Sequence, residues 1–383
     1  MKALVAPDSF KECLSAADVA ETVGAALREA RPDWDVVLCP LADGGEGTVD
    51  VVAASPGWEI RRAEVSDPLG RKVSAGYGVK DGTAVIEVAS ACGMCHISLS
   101  ERNPLKASSF GVGELLMAAR RDGCGRFLVG LGGTATCDGG EGMMRVPGLS
   151  SAMAGCRVEL LCDVDNPFVG PRGAARVFAP QKGASPEDVE VLERRLNGIA
   201  AGILEATGID VRSMPGAGAA GGLGGAFMAW FGAEAVSGID RIMDLVGFDD
   251  LAAGADFVIT GEGRSDIQTL SGKVPAGVLR RVRRLSAASV AECQGFAIGA
   301  QALSGVPARS CGKDVRMKIS AGEDVPVLLL SGRIEDREAL LADGFRAMAE
   351  ATPRSMPLSE ALLPAVARRN LRSALRSLLS DPS

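Results

Sequence analysis

The sequence predicts an α/β protein in which a parallel-sheet domain is accompanied by a second α/β domain. Three observations carry that expectation. Residues 2–54 alternate apolar runs with helix-period stretches and polar loops, the pattern of parallel strands joined by crossover helices. Residues 58–88 switch to short alternating runs separated by turns, as antiparallel strands do. Near Ala255 the strand–loop–helix pattern returns, and a chain of 383 residues exceeds one ordinary core.

The elements follow in order. Residues 2–6 form an apolar run ended by Pro7, a candidate first strand. Ser15 with Asp18 three residues later resembles a capping box, opening a helix to about Arg28 with Val19, Val23, Ala26 and Leu27 on one face. A strand is expected at 35–39, then a polar loop and a helix to about Ala54. Residues 59–65, 73–79 and 83–88 read as strands around Pro68-Leu-Gly and Lys80-Asp-Gly turns. A helix over 109–122 is ended by Gly123, and strands are expected at 126–129 and 158–162. Ser185 caps a helix with Pro186 at its first position and Glu187 and Asp188 behind it. The glycine tract 215–225 carries Ala and Leu among its glycines, which favours close packing over a flexible linker. A strand at 255–259 precedes a loop at 260–266. A strand at 325–330, a helix at 335–342 and a terminal helix at 359–379 complete the reading. Residues 286–324 lack a clear period.

Composition narrows the function. Hydrophobic residues make up 47% and charged residues 23%, the balance of a soluble globular protein. A net charge of −7 argues against nucleic acid or an anionic membrane as partner. No apolar segment reaches the roughly 18–20 residues that span a bilayer, and the N-terminal residues lack the apolar core of a secretory signal. The 10 cysteines are scattered, several within apolar runs, and read as reduced thiols of a cytoplasmic enzyme. Cys92-Gly-Met-Cys95-His96 fits the haem-attachment pattern and holds the sole histidine. Its flanks read as ordinary packing sequence.

Two acidic glycine loops point to chemistry. Asp43-Gly-Gly-Glu-Gly47 recurs as Asp138-Gly-Gly-Glu-Gly142, the second inside Gly130-Leu-Gly-Gly-Thr-Ala-Thr-Cys-Asp138, directly after an apolar run. Glycines after a strand let backbone N–H groups turn toward an anion. Thr134 and Thr136 add hydroxyls, and Asp138 and Glu141 add carboxylates of the kind that Mg2+ prefers. Phosphate-binding glycines beside such carboxylates suggest phosphoryl transfer; the plain alternative is a pair of turns that close loops. Ser271-Gly-Lys-Val lacks the spaced first glycine of a P-loop. No strand-following G-x-G-x-x-G with a later acidic residue supports a nicotinamide enzyme.

These motifs together resemble the bacterial glycerate kinases of the type I family. The resemblance rests on Ala6-Pro-Asp-Ser-Phe-Lys11, Ala42-Asp-Gly-Gly-Glu-Gly-Thr48, Arg102-Asn-Pro-Leu105, the stretch 130–142, Cys162-Asp-Val-Asp-Asn-Pro167, Pro180-Gln-Lys-Gly-Ala184, residues 215–224 and Ile259-Thr-Gly-Glu-Gly-Arg264. It runs from residue 1 to about 284 and resumes near 325. It implies transfer of the ATP γ-phosphoryl group to glycerate with Mg2+. It also implies a discontinuous Rossmann- or flavodoxin-like domain, residues 1–57 plus 255–383, with an inserted α/β domain, residues 58–254. A non-catalytic glycerate- or nucleotide-binding relative is the alternative.

Phosphoryl transfer needs charge neutralisation and a positioned hydroxyl. Asp43, Glu46 and Asp138 are the expected metal carboxylates. Gly44, Gly45, Gly132, Gly133, Thr134, Gly261 and Gly263 are the expected nucleotide-binding positions. Lys11, Lys182 and Arg264 are the expected cations, with Arg264 suited to a carboxylate. Asp8, Asp163 and Asp165 are candidates to orient or deprotonate the hydroxyl. The family usually carries Asn at Cys137, and the chain looks short between 144 and 158. That shortened stretch is expected to expose apolar surface for a homo-oligomer to bury, and 286–324 to be mobile.

Overall fold

A computed structural model describes residues 1–270, 272–300 and 324–380. Its strands are β1 (Lys2–Val5), β2 (Asp35–Leu38), β3 (Glu59–Ser66), β4 (Lys72–Lys80), β5 (Thr83–Glu87), β6 (Arg126–Gly130), β7 (Arg157–Leu161), β8 (Glu234–Val236), β9 (Phe257–Ser265), β10 (Val327–Ile334) and β11 (Ala347–Glu350). The chain divides into two compact units, residues 1–41 with 247–383 and residues 42–246. The fold is α/β, as the sequence predicts.

The first unit holds a five-stranded sheet in the order β11-β10-β9-β1-β2, with every neighbouring pair parallel. Numbered within the unit, that order is the doubly wound 2-1-3-4-5 of flavodoxin-like sheets, which places the switch point between β1 and β9. Ala3, Leu4 and Val5 are fully buried, as a central parallel strand requires. The helices Ala16–Ala30 and Pro364–Ser380 share one core with β1, β9 and β10 through Val19, Val23, Leu27, Leu371 and Leu375. Ser15 caps the first helix by accepting from the Asp18 N–H at 3.1 Å.

β9 and β10 run further than the sequence suggests. Residues 260–264 lie inside β9 rather than in a loop after it. They pair with β10 through Leu330 and Gly261, Ser331 and Glu262, and Arg333 and Arg264. A Cβ on Gly261 would stand 2.0 Å from the Leu330 carbonyl oxygen, so glycine there permits strand pairing.

The second unit carries a six-stranded mixed sheet, β3-β4-β5-β6-β7-β8. β3, β4 and β5 are antiparallel neighbours, and β5 through β8 pair in parallel. Asp81 (φ 47°) and Gly82 (φ 70°) make the tight turn between β4 and β5, where both central residues need positive φ. The helix Pro186–Thr207 begins with the reciprocal Ser185–Asp188 capping box. The glycine tract packs closely, and a Cβ on Gly218, Gly221 or Gly224 would meet a carbonyl oxygen within 2.4 Å.

The large apolar side chains of the shortened stretch are not exposed. Val146, Leu149 and Met153 are buried in the unit's core, the last two on the helix Leu149–Met153. These three side chains therefore do not supply the surface that the sequence suggests for a homo-oligomer. Of the stretch 286–324, residues 286–300 continue the helix Val274–Ala300, and residues 301–323, where mobility is expected, lie outside the described residues.

Candidate functional site

In the second unit the two acidic glycine loops meet backbone to backbone. A Cβ on Gly130 would stand 2.2 Å from the Gly44 carbonyl oxygen, and one on Gly132 3.0 Å from Gly45 Cα. Gly44 itself has φ +94° and lies against Leu161, at the end of β7. The loop 43–47 is thereby laid across the carboxyl ends of β6 and β7, where parallel sheets bind ligands. Asp43 Oδ1 accepts from the Gly45 N–H at 3.1 Å, and the Thr48 hydroxyl donates to the Gly45 carbonyl at 2.8 Å. Glu46 is exposed.

Glu87, at the end of β5, is a carboxylate that sequence reasoning missed. Its Oε1 accepts from the Val49 N–H at 2.7 Å, and the Gly47 N–H also bonds it. Burial pushes its pKa up to about 7; the amides of Val49 and Gly47 oppose the shift, and the charges of Asp50 and Glu46 add to it. No local motif marks it, because its partners lie far away in sequence.

Asp138 departs from the metal-ligand expectation. It is 2% exposed, and its carboxylate accepts four hydrogen bonds. Oδ2 takes the Ser109 N–H at 2.8 Å, the Ser109 hydroxyl at 2.9 Å and the Gly142 N–H at 3.2 Å; Oδ1 takes the Gly140 N–H at 3.2 Å. Those donors stand at the starts of the helices Phe110–Arg121 and Glu141–Met144. The carboxylate therefore ties two helix N-termini together, a use that leaves it little lone-pair capacity for an ion. Glu141 pairs with Arg195 at 2.7 Å and with Arg145.

Lys182 is buried at 3% exposure, and its Nζ donates to Thr134 Oγ1 at 2.9 Å and to the Thr136 carbonyl at 2.7 Å. Burial draws its pKa below the usual lysine range. It braces the loop from beneath. The Cys92–His96 segment is joined to the same loop by the Gly93–Thr134 bridge and the Met94 N–H to Gly133 carbonyl bond of 3.0 Å. His96 Nε2 lies 2.9 Å from the Ser90 carbonyl oxygen. Cys13, Cys39, Cys92, Cys95, Cys124, Cys137, Cys156 and Cys162 are free thiols.

Two candidate aspartates have other partners. Asp163 Oδ2 accepts from the Gly238 N–H at 3.3 Å, at the start of the helix Gly238–Val246. Asp165 is exposed and pairs with Arg172 at 2.6 Å, which holds its carboxyl below the usual range.

In the first unit, β1 delivers Asp8 to the switch point. Asp8 is 6% exposed, its N–H donates to the Gly261 carbonyl at 2.8 Å, and its Oδ1 accepts from the Ser9 N–H at 2.6 Å. Gly263 lies against the backbone of Phe10 and Lys11, and the Lys11 side chain is exposed. Between the two glycines stands Glu262, which sequence reasoning passed over. It is 5% exposed, its Oε1 accepts from Thr269 Oγ1 at 2.5 Å and Ser265 Oγ at 3.1 Å, and its Oε2 faces Lys273 Nζ at 3.3 Å. Burial raises its pKa and Lys273 opposes the rise. Lys273 belongs to the Ser-Gly-Lys sequence that fails as a P-loop, so its signal was visible without its partner. Arg264 is exposed and pairs with Glu335 at 2.8 Å. The Thr260 hydroxyl is buried without a hydrogen-bond partner.

The model of the glycerate kinase family matches residues 3–150 and 145–309. The glycerate 2-kinase of Escherichia coli strain K12 is 42% identical over 308 residues, covering 73% of this chain and 81% of that protein. The glycerate kinase of Bacillus subtilis strain 168 is 36% identical over 392 residues, covering 94% of this chain and 93% of that one. The crystal structure of a candidate glycerate kinase 2 from Salmonella typhimurium LT2 superposes with a TM-score of 0.74 at 34% identity, covering 99% of this chain and 97% of that one. With the family model spanning most of its length, this chain belongs to the glycerate kinase family.

Proposed function

We propose that the protein transfers the γ-phosphoryl group of ATP to a hydroxyl of D-glycerate, releasing ADP and phosphoglycerate. The observation that carries this reading is the pair of acidic glycine loops packed on one another at the carboxyl ends of parallel strands, in a chain aligned with glycerate kinases over most of its length. The name of the Escherichia coli relative favours the 2-hydroxyl as acceptor. The order of the motifs favours the type I branch. Free thiols among the described residues suit the cytoplasm, and no helix among them is long and apolar enough to cross a membrane.

Lys11, Lys273 and Arg264 are the cations we assign to the phosphates and the glycerate carboxylate, and Asp8 the group that orients the acceptor hydroxyl. Backbone amides of Gly44, Gly45, Gly132 and Gly133 supply neutral donors. Among the described residues no cluster of three or more His, Cys, Asp or Glu side chains could cage an ion. That suits Mg2+ held chiefly by nucleotide phosphates and water, with Asp43 and Glu46 as its protein carboxylates. Bound there, Mg2+ would neutralise charge on the phosphates. As functional modules we keep residues 1–57 plus 255–383 and 58–254; this division and the compact units differ only over residues 42–57 and 247–254.

The test is a coupled ADP-release assay with D-glycerate and Mg-ATP, the product being identified as 2- or 3-phosphoglycerate. Glycerate-dependent turnover is expected. Saturable glycerate binding with no ADP release under any divalent metal would leave a binding relative instead.

A further inference from the structure

Within the second unit, where β5, β6 and β7 begin, lies a cleft of about 270 Å3 whose walls include Trp58, Lys80, Arg126, Arg157, Glu159 and Arg241. It is at the opposite end of these strands from the glycine loops. Glu159 sits in mid-β7 between the buried Val158 and Leu160 and is itself 8% exposed. A carboxylate in such a place is costly unless paired. It is paired twice, with Arg157 Nε at 3.2 Å and Arg241 Nε at 2.8 Å. Both contacts run through Nε, so a buried carboxylate anchors the two guanidinium groups beside the cleft. Arg126 donates to the Asp81 carbonyl at 3.2 Å and Lys80 to the Pro56 carbonyl at 2.8 Å, bonds that fix the cations without neutralising them. Asp81 and Asp244 also line the cleft, so its four cations face three carboxylates, one of them already shared by two arginines.

We propose that this cleft is a second ligand site that takes a small organic dianion, a short phosphomonoester or dicarboxylate. The arginine forks match the anionic head, and the Trp58 ring covers the short carbon chain. The volume lies just below the usual range of ligand pockets, about 300–1,000 Å3, which suits a small metabolite and not a nucleotide. β6 connects Arg126 to Gly130, so a ligand held at Arg126 is roughly 15 Å from the glycine loops. It is a bystander to the reaction there, positioned as an effector.

Full-length protein titrated with 3-phosphoglycerate, succinate and inorganic phosphate, read by tryptophan fluorescence, tests this. Trp58→Phe, Arg126→Gln and Arg157→Gln are titrated alongside, each checked by circular dichroism and melting temperature. The expected result is a saturable change with 3-phosphoglycerate or succinate that vanishes in Trp58→Phe. Its midpoint should rise at least tenfold in Arg126→Gln, whose side chain is exposed and bonds one carbonyl, so folding is preserved even where Arg157→Gln is unstable. The lower of the two organic midpoints assigns the head group. A succinate signal that survives in Trp58→Phe, an unchanged midpoint in Arg126→Gln, an equal midpoint for inorganic phosphate, or no saturation with any probe would overturn the proposal. Because the readout is Trp58 and not turnover, its failure is distinct from a failure of the kinase reading.

Discussion

Asp138 accepts from the backbone at the starts of two helices, and each of those bonds is charge-assisted. Replacing it with Asn turns one acceptor oxygen into an NH2 group facing N–H donors. We expect Asp138→Asn to cost about 2–4 kcal/mol, with a lower melting temperature, because buried donors are left unsatisfied. Denaturant unfolding checks it; unchanged stability with a hundredfold lower kcat would restore the metal role. Glu87 behaves differently. Its folded pKa of about 7 lies above its ordinary 4.5, so the native state holds the extra proton between those values. Its contribution to stability is therefore fully present below about pH 4.5 and is lost as pH rises through 7, by roughly 3 kcal/mol at most. Glu87→Gln should be flat across that window and more stable than the parent at pH 8. Urea unfolding from pH 5 to 8 decides it, and a parent that gains stability over the variant as pH rises would show that the loop amides prefer the carboxylate. The motif residues were legible in sequence, but their tasks were not. Glu262 and Lys273, or Glu87 and Val49, become partners only when separate segments are brought together, and neither burial nor pairing leaves a local mark.

Among the elements, legibility followed length and punctuation. β1 through β7 are bounded by Pro, Gly or Asp-Gly turns, and the helices at Ala16 and Pro186 announce themselves by their caps. β8, of three residues, is too short to show a period. Residues 260–264 read as a loop because glycine is a strand breaker in isolation; opposite β10, Gly261 admits the Leu330 carbonyl. Gly130 makes the same argument testable. An added methyl would meet the Gly44 carbonyl, a backbone atom that cannot rotate aside. Gly130→Ala should cost at least about 1–3 kcal/mol by overpacking. It should also lower kcat tenfold or more as the loop 43–47 is displaced. Gly125→Ala is the control, since a Cβ there meets nothing within 4 Å. Equal melting temperatures and equal kcat for the two variants would show that the loops do not depend on this contact.

At the scale of the whole chain, the two units differ in how they are assembled from sequence. Residues 42–246 are contiguous and enclose their own core, from Val65 on β3 through Phe127 and Leu160 to Phe227. The other unit draws one core from both ends, packing Val5 and Leu27 with Ile259, Leu330 and Leu371. Its strand β1 lies between β9 and β2, so residues 247–383 alone would present β9 with an unpaired edge and an uncovered apolar face. A fragment of residues 42–246 should therefore unfold cooperatively in urea, as an independent domain does. A fragment of residues 247–383 should lack a cooperative transition and gain one when residues 1–41 are added, since β1 and the helix Ala16–Ala30 then complete the sheet and one covering layer. Circular dichroism and urea titration of the two fragments measure this directly. A cooperative transition for 247–383 without its N-terminal partner would show that β1 is dispensable to the sheet, and the division of the chain would have to be redrawn around β9 and β10 alone.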